Sequence, residues 1–227
     1  MLAGRGWGKT RTGAEWVRSQ VERGRCGRIA LVGATVGDAR DIMIDGESGL
    51  LAICPPWNKP RYSTTTRRLT WPNGAVATLY TADEPERLRG KQADGAWADE
   101  LSAWRYKEAY DQLMFGLRLG ADPRVVVTTT PKPVPILKEL LKQSTTVVTG
   151  GSSYENRANL APTFFDYIVA KYKGTRLGLQ ELEARLLEDV EGALWQRESM
   201  IERHRVTSVP ELLRIVVGVD PAISATG

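Results

Sequence analysis

A glycine-rich run at the start of the chain, Ala3-Gly4-Arg5-Gly6-Trp7-Gly8-Lys9-Thr10, constrains the fold more than any other stretch. It follows the spacing G-x-x-x-x-G-K-[ST], with Ala3 in the place of the first glycine. Glycines at 4, 6 and 8 let the backbone turn tightly, so that its N–H groups converge on phosphate oxygens. In that geometry Lys9 reaches the β- and γ-phosphates, and the Thr10 hydroxyl is placed to ligate Mg²⁺. Gly4, Arg5, Gly6, Trp7, Gly8, Lys9 and Thr10 are therefore the expected contacts to ATP. A helix is expected over roughly residues 10–23, its positive dipole end adding to the same anion site.

Such a loop needs an acidic partner at the end of a buried strand, and Ala96-Trp97-Ala98-Asp99-Glu100 supplies one. Asp99 is the expected holder of Mg²⁺ through water. Glu100 is the expected base that orients and deprotonates the attacking water. A third run, Val125 to Val127 followed by Thr128-Thr129-Thr130-Pro131, reads as a β-branched strand ending in hydroxyls. Thr128, Thr129 or Thr130 is the candidate sensor of the γ-phosphate.

The rest of the chain alternates between strand and helix patterns, which predicts an α/β fold with a mainly parallel sheet flanked by helices. Arg28 to Gly33 reads as a strand, and Thr35 or Asp38 caps a helix running towards Leu51. Asn73-Gly74 marks a hairpin between residues 67 and 80. Further helices are expected near 107–117 and 134–141, and a strand over 145–148. From about residue 150 the pattern turns helical, with apolar stripes from Pro162 and over 177–190.

Composition excludes several chemistries. The 227 residues contain one histidine and two cysteines, Cys26 and Cys54, in no metal-ligand spacing, which rules out a zinc site or a histidine-based triad. No apolar run reaches membrane-spanning length and no signal segment opens the chain. A net charge of +4 permits polyanion binding. Arg61, Arg67 and Arg68, with Tyr62 among them, form a candidate DNA-contact surface.

Together these motifs resemble the large terminase subunit of tailed bacteriophages. The loop, Glu86-Arg87-Leu88-Arg89-Gly90, Asp99-Glu100 and Thr128 to Pro131 occur in the family's order. They are followed by Tyr154-Glu155-Asn156 with Asn159-Leu160, Tyr172 to Thr175, and Glu191 to Trp195. The resemblance implies a P-loop NTPase core over residues 1–150 and a small helical lid subdomain with linker over 151–205. Residues 206–227 would begin a truncated nuclease domain of ribonuclease H type, in which Asp220 resembles the first metal ligand. No DNA cleavage is expected, because two-metal cleavage needs further carboxylates.

The resemblance further implies hydrolysis of ATP to drive double-stranded DNA into a procapsid in the host cytoplasm. The implied partners are further copies in a ring (a pentamer by family resemblance), the portal protein and the small terminase subunit. Arg89 resembles the arginine that reaches into a neighbour's site, and Arg5 is the candidate acting within its own subunit. Two alternatives stand beside this reading: a helicase-type ATPase stimulated by nucleic acid, or an inactive prophage remnant serving as a binding module. The latter follows from the loop's position: a P-loop normally follows a buried strand, and here only Met1 and Leu2 precede Ala3. Damaged nucleotide affinity is one expectation from that.

Overall fold

The computed structural model describes residues 1–187, 202–206, 208, 214 and 216. Residues 1–187 form one compact unit. In chain order its first elements are β1 (Leu2–Ala3), α1 (Lys9–Glu22) and β2 (Arg28–Gly33). A broken helical stretch follows: α2 (Val36–Asp38), a wider π-type turn over Ala39–Ile44, and α3 (Leu50–Ile53). Next come β3 (Arg61–Ser63), β4 (Arg68–Thr70), β5 (Val76–Thr81), β6 (Gly95–Asp99), α4 (Glu108–Gly116) and β7 (Arg124–Thr128). The unit closes with α5 (Pro135–Lys142), β8 (Gly150–Gly151), α6 (Pro162–Tyr172) and α7 (Arg176–Glu181). Beyond it, Glu202–His204 forms a 3-10 turn. No helix among the described residues is long and apolar enough to cross a membrane.

Six strands form a sheet in the order β3-β4-β5-β2-β6-β7. The pairs β5–β2, β2–β6 and β6–β7 are parallel, and the β3-β4-β5 edge is antiparallel. Asn73-Gly74 makes the expected turn into β5, with Gly74 at φ 88°. Beside β7, Leu2 bridges Thr129 in parallel fashion, and β1 pairs in parallel with β8. The strand expected ahead of the loop is thus represented by Leu2–Ala3, which brings the loop to the edge where β6 and β7 end.

Side-chain alternation along the central strands builds two apolar layers. Ile29 and Leu31 of β2 and Trp97 of β6 pack with Ala14, Val17 and Val21 of α1. Ala30, Val32, Ala96 and Ala98 point the other way, against Leu88, Ala109 and Leu113. The small residues of β6 look weak for a central strand, but Trp97 concentrates its apolar surface on one face. That ring lies against Gly13 of α1, where a Cβ has no room. Glycine inside a helix is unfavourable by about 1 kcal/mol relative to alanine, a loss set against burying a whole tryptophan side chain.

Three expectations are corrected. The helix expected from Thr35 to Leu51 does begin at a Thr35 cap, whose hydroxyl accepts from the Asp38 N–H at 3.2 Å. It then breaks before α3, because Gly46 and Gly49 pack against backbone: a Cβ on Gly49 would lie 2.6 Å from the Ile44 carbonyl oxygen. The strand expected over 145–148 is turn and coil, with Val147 84% exposed. Its neighbour at that edge is the two-residue β1, which on that side pairs with Gly150 and Gly151. The helix expected over 177–190 is shorter, ending at Glu181; residues 188–190 lie outside the described residues.

Candidate nucleotide site

The loop between β1 and α1 turns on two left-handed glycines, Gly6 at φ 74° and Gly8 at φ 107°. A residue with a Cβ is strained at both positions. Gly4 is closed in differently: a Cβ there would lie 2.7 Å from both the Leu182 carbonyl and the Ser153 hydroxyl. Gly8 caps α1 without a side-chain bond. Among the described residues no acceptor takes the N–H groups of Gly6, Gly8, Lys9 or Thr10. Four N–H groups without a protein acceptor thus stand beside the positive end of α1, a combination suited to binding phosphate.

Lys9 folds back over the loop, its Nζ donating to the carbonyls of Ala3 at 2.9 Å and Gly4 at 3.1 Å. Burial lowers its pKa, and the charges of Glu100, Glu181 and Asp99 pull it back up. The ammonium thus shares an electrostatic field with both members of the acidic pair. Thr10 stands half-buried in the first turn of α1.

Asp99 closes β6 at 9% exposure. Burial pushes its carboxyl up to about 6, and the charge of Glu100 acts in the same direction. A bond from the Thr128 hydroxyl at 2.6 Å and the charge of Lys9 oppose the rise. Thr128 itself accepts from the Trp97 indole N–H at 2.8 Å. A buried line of donors, Trp97 to Thr128 to Asp99, therefore aims one carboxylate oxygen.

Asp99 has a stability consequence. Because its folded pKa lies above the unfolded value near 4, stability is greatest below that value and falls as pH rises from about 4 to 6. Asp99→Asn, which keeps an acceptor for Thr128, is expected to flatten that slope and to raise stability at pH 7 by on the order of 2 kcal/mol. Urea unfolding at pH 4, 5, 6 and 7 checks this.

Glu100, next along, has φ 48° and ψ 49°, left-handed for a residue with a side chain. Such a conformation is unfavourable by about 1–2 kcal/mol and persists only where surroundings enforce it. The Thr130 N–H donates to Glu100 Oε1 at 3.1 Å, and the Ser102 N–H donates to the Thr129 hydroxyl at 3.0 Å. The Thr129 hydroxyl in turn donates to Ser102 Oγ at 2.8 Å, and Ser102 Oγ to the Thr130 carbonyl at 3.0 Å. The Trp104 indole N–H holds the Asp99 carbonyl at 2.9 Å.

The structure thus brings the loop residues 4–10, Asp99, Glu100 and Thr128–Thr130 to one edge of the sheet. Thr128 and Thr129, the expected sensors, are fully buried, with their hydroxyls bonded to Asp99 and Ser102. Arg5 stands at the loop's surface, its side chain 73% exposed and 3.5 Å from Glu181. Arg89 follows the 3-10 turn Pro85–Arg87, with its guanidinium 72% exposed and 3.4 Å from Glu86. Asp220 lies outside the described residues, as do Glu191 to Trp195. Sequence reasoning gave no role to Trp97, Ser102, Ser153 or Glu181. A buried tryptophan beside the acidic pair was the available signal for the first of these.

Arg28, Arg68, Tyr80, Lys91 and Gln112 line a cleft of about 490 Å³. Arg61 stands exposed on the edge strand β3 and Arg67 pairs with Glu84 at 3.8 Å. Among the described residues there is no group of three or more His, Cys, Asp or Glu side chains that could hold a metal alone.

Residues 1–200 match the family model "Terminase large subunit, T4likevirus-type, N-terminal". No curated protein matches the chain in sequence. The fold is similar to the large terminase of a thermophilic bacteriophage, with TM-score 0.66 and 13% identity over 82% of this chain and 47% of that one. The same terminase solved with ATP-γ-S gives TM-score 0.63 at 12% identity over 82% and 47%. The Thermus phage P74-26 large terminase ATPase domain gives TM-score 0.56 at 16% identity, over 82% of this chain and 87% of that one. The chain thus spans about half the length of the first of these terminases.

Proposed function

We propose that this chain, which belongs to the T4likevirus-type large terminase family through its N-terminal part, is an ATP-hydrolysing motor domain that moves double-stranded DNA. The observation that carries the reading is the convergence of a phosphate-binding loop, its lysine and the acidic pair at the end of β6, Asp99 buried and Glu100 half-buried. Open α/β sheets bind ligands at that edge. The complexes of the thermophilic phage terminase with ATP-γ-S and ADP support a nucleotide there.

In this reading the free N–H groups of Gly6, Gly8, Lys9 and Thr10 bind the phosphates, with Lys9 exchanging its carbonyl partners for phosphate oxygens. The residues fit a Mg²⁺ that arrives with the nucleotide. Thr10 would supply an oxygen ligand and Asp99 would hold the ion through water; Asp99 is a buried acid that a cation would stabilise in its ionised form. Bound there, Mg²⁺ supplies charge neutralisation at the phosphates. Glu100, aimed by the Thr130 N–H, orients and deprotonates water. Thr128 acts as a positioning residue for Asp99, rather than as a direct phosphate contact. Arg5 or Arg89 stabilises charge in the transition state, Arg89 from a neighbouring subunit.

We further assign residues 1–150 to the ATPase core, 151–205 to the lid and linker, and 206–227 to the start of a nuclease domain. The partners are duplex DNA on the basic hairpin face around Arg61, Arg67 and Arg68, further copies in a ring, the portal and the small subunit, in the host cytoplasm.

Mg·ATP hydrolysis measured across protein concentrations, with duplex or single-stranded DNA, tests the motor. Activity rising faster than linearly and boosted by duplex without unwinding is the expected outcome. Single-strand preference with unwinding would establish the helicase-type alternative instead.

A further inference from the structure

The phosphate-binding loop is held from outside by residues far along the chain. Ser153, fully buried, donates its hydroxyl to the Arg5 carbonyl at 2.6 Å. Asn156 donates its side-chain amide to the Gly6 carbonyl at 2.7 Å. Asn159 donates to the Asn156 side-chain oxygen at 2.7 Å, which decides which end of that amide faces the loop. Main-chain bonds complete the clasp: the Arg5 N–H donates to the Glu181 carbonyl at 2.7 Å and the Gly4 N–H to the Gly151 carbonyl at 3.0 Å. The Leu160 side chain covers Gly6, within 2.9 Å of where a Cβ would stand.

These bonds set directions as well as positions. In a trans peptide the C=O and the following N–H point opposite ways. Holding the Arg5 carbonyl outward therefore turns the Gly6 N–H inward. Holding the Gly6 carbonyl does the same for the Trp7 N–H, which closes on the Gly4 carbonyl at 3.3 Å. The same two peptides flank Gly6, and glycine accepts either sign of φ with little penalty. Both are therefore free to flip: a flipped Arg5–Gly6 peptide presents a carbonyl dipole to an anion where the Gly6 donor is needed, and a flipped Gly6–Trp7 peptide breaks the Trp7–Gly4 bond that closes the turn.

We propose that Ser153 and Asn156 are positioning residues that lock the Arg5–Gly6 and Gly6–Trp7 peptides against flipping, so that the loop is pre-organised for a triphosphate by the segment that follows β8. This rests on the reading of the loop as a nucleotide site. It also makes the segment from Gly151 to Leu182 part of that site, since any shift of Asn156 frees the Gly6 peptide.

The test is the affinity and turnover of Mg·ATP on the 227-residue chain and on Asn156→Leu and Ser153→Ala, which remove one donor each without adding charge. Each is expected to raise the dissociation constant and KM for Mg·ATP about fivefold to tenfold, the factor one hydrogen bond carries. At saturating nucleotide kcat is expected to stay within about twofold, because bound phosphates themselves hold the peptides inward. Asn159→Ala, at an exposed position, should give a weaker shift of the same kind. A KM unchanged in all three, or a kcat falling in step with the folded fraction at constant KM, overturns the lock. An unaltered chain that binds no Mg·ATP, or a Lys9→Ala variant that binds it as tightly, overturns the nucleotide reading itself.

Discussion

Glu100→Gln is expected to lower kcat for ATP hydrolysis by about 10³-fold while leaving Mg·ATP bound, the scale of a lost general base. Glu100 occupies a left-handed conformation between β6 and the following 3-10 turn, and the Thr130 N–H holds its Oε1. Glutamine has the same shape and offers the same acceptor to Thr130, so fold and binding should survive. What it lacks is a carboxylate able to take a proton. Single-turnover hydrolysis beside equilibrium binding separates the two effects, and a variant within about tenfold of the parent would remove Glu100 from the role of base.

Arg89→Ala is expected to lower kcat by about 10³-fold or more, the range found for arginines that complete a phosphoryl-transfer site. Folding should be indifferent to the change: the guanidinium is 72% exposed and its ion pair with Glu86 is equally exposed. Exposed pairs of that kind contribute little. Gly90, in a left-handed conformation at φ 73° with open space around it, lets the step turn outward beside Arg89. In the proposed reading Arg89 acts in the site of a neighbouring copy. Mixing Arg89→Ala with Glu100→Gln should therefore restore part of the hydrolysis, because some interfaces then combine an intact base with an intact arginine. A full loss in Arg5→Ala, with no recovery on mixing, would assign the role to Arg5.

Much of the architecture is legible in the sequence where local chemistry and tertiary packing agree. β2 is found at the residues its apolar run marks, and the Asn73-Gly74 turn sets the hairpin register. The glycines of the phosphate-binding loop need positive φ, and two of them have it. What was not legible depends on partners distant in the chain. The strand expected over 145–148 fails for want of a ladder neighbour, which no local pattern reveals. The aiming of Asp99 by Thr128 and Trp97 joins residues on two strands, and a threonine-rich strand end says nothing of which hydroxyl turns inward. Tyr154-Glu155-Asn156 carried a family resemblance but no role. The role proposed here for Asn156 came only from its amide reaching the Gly6 carbonyl, 150 residues away.

The most direct measurement is a calorimetric titration of Mg·ATP into the 227-residue chain, into Glu100→Gln and into Lys9→Ala. If the loop, its lysine and the acidic pair form a hydrolytic nucleotide site, the chain and Glu100→Gln bind saturably and Mg·ADP competes. Lys9→Ala then loses that binding. Equal binding by Lys9→Ala, or no saturable binding by the parent chain and Glu100→Gln alike, would contradict the account.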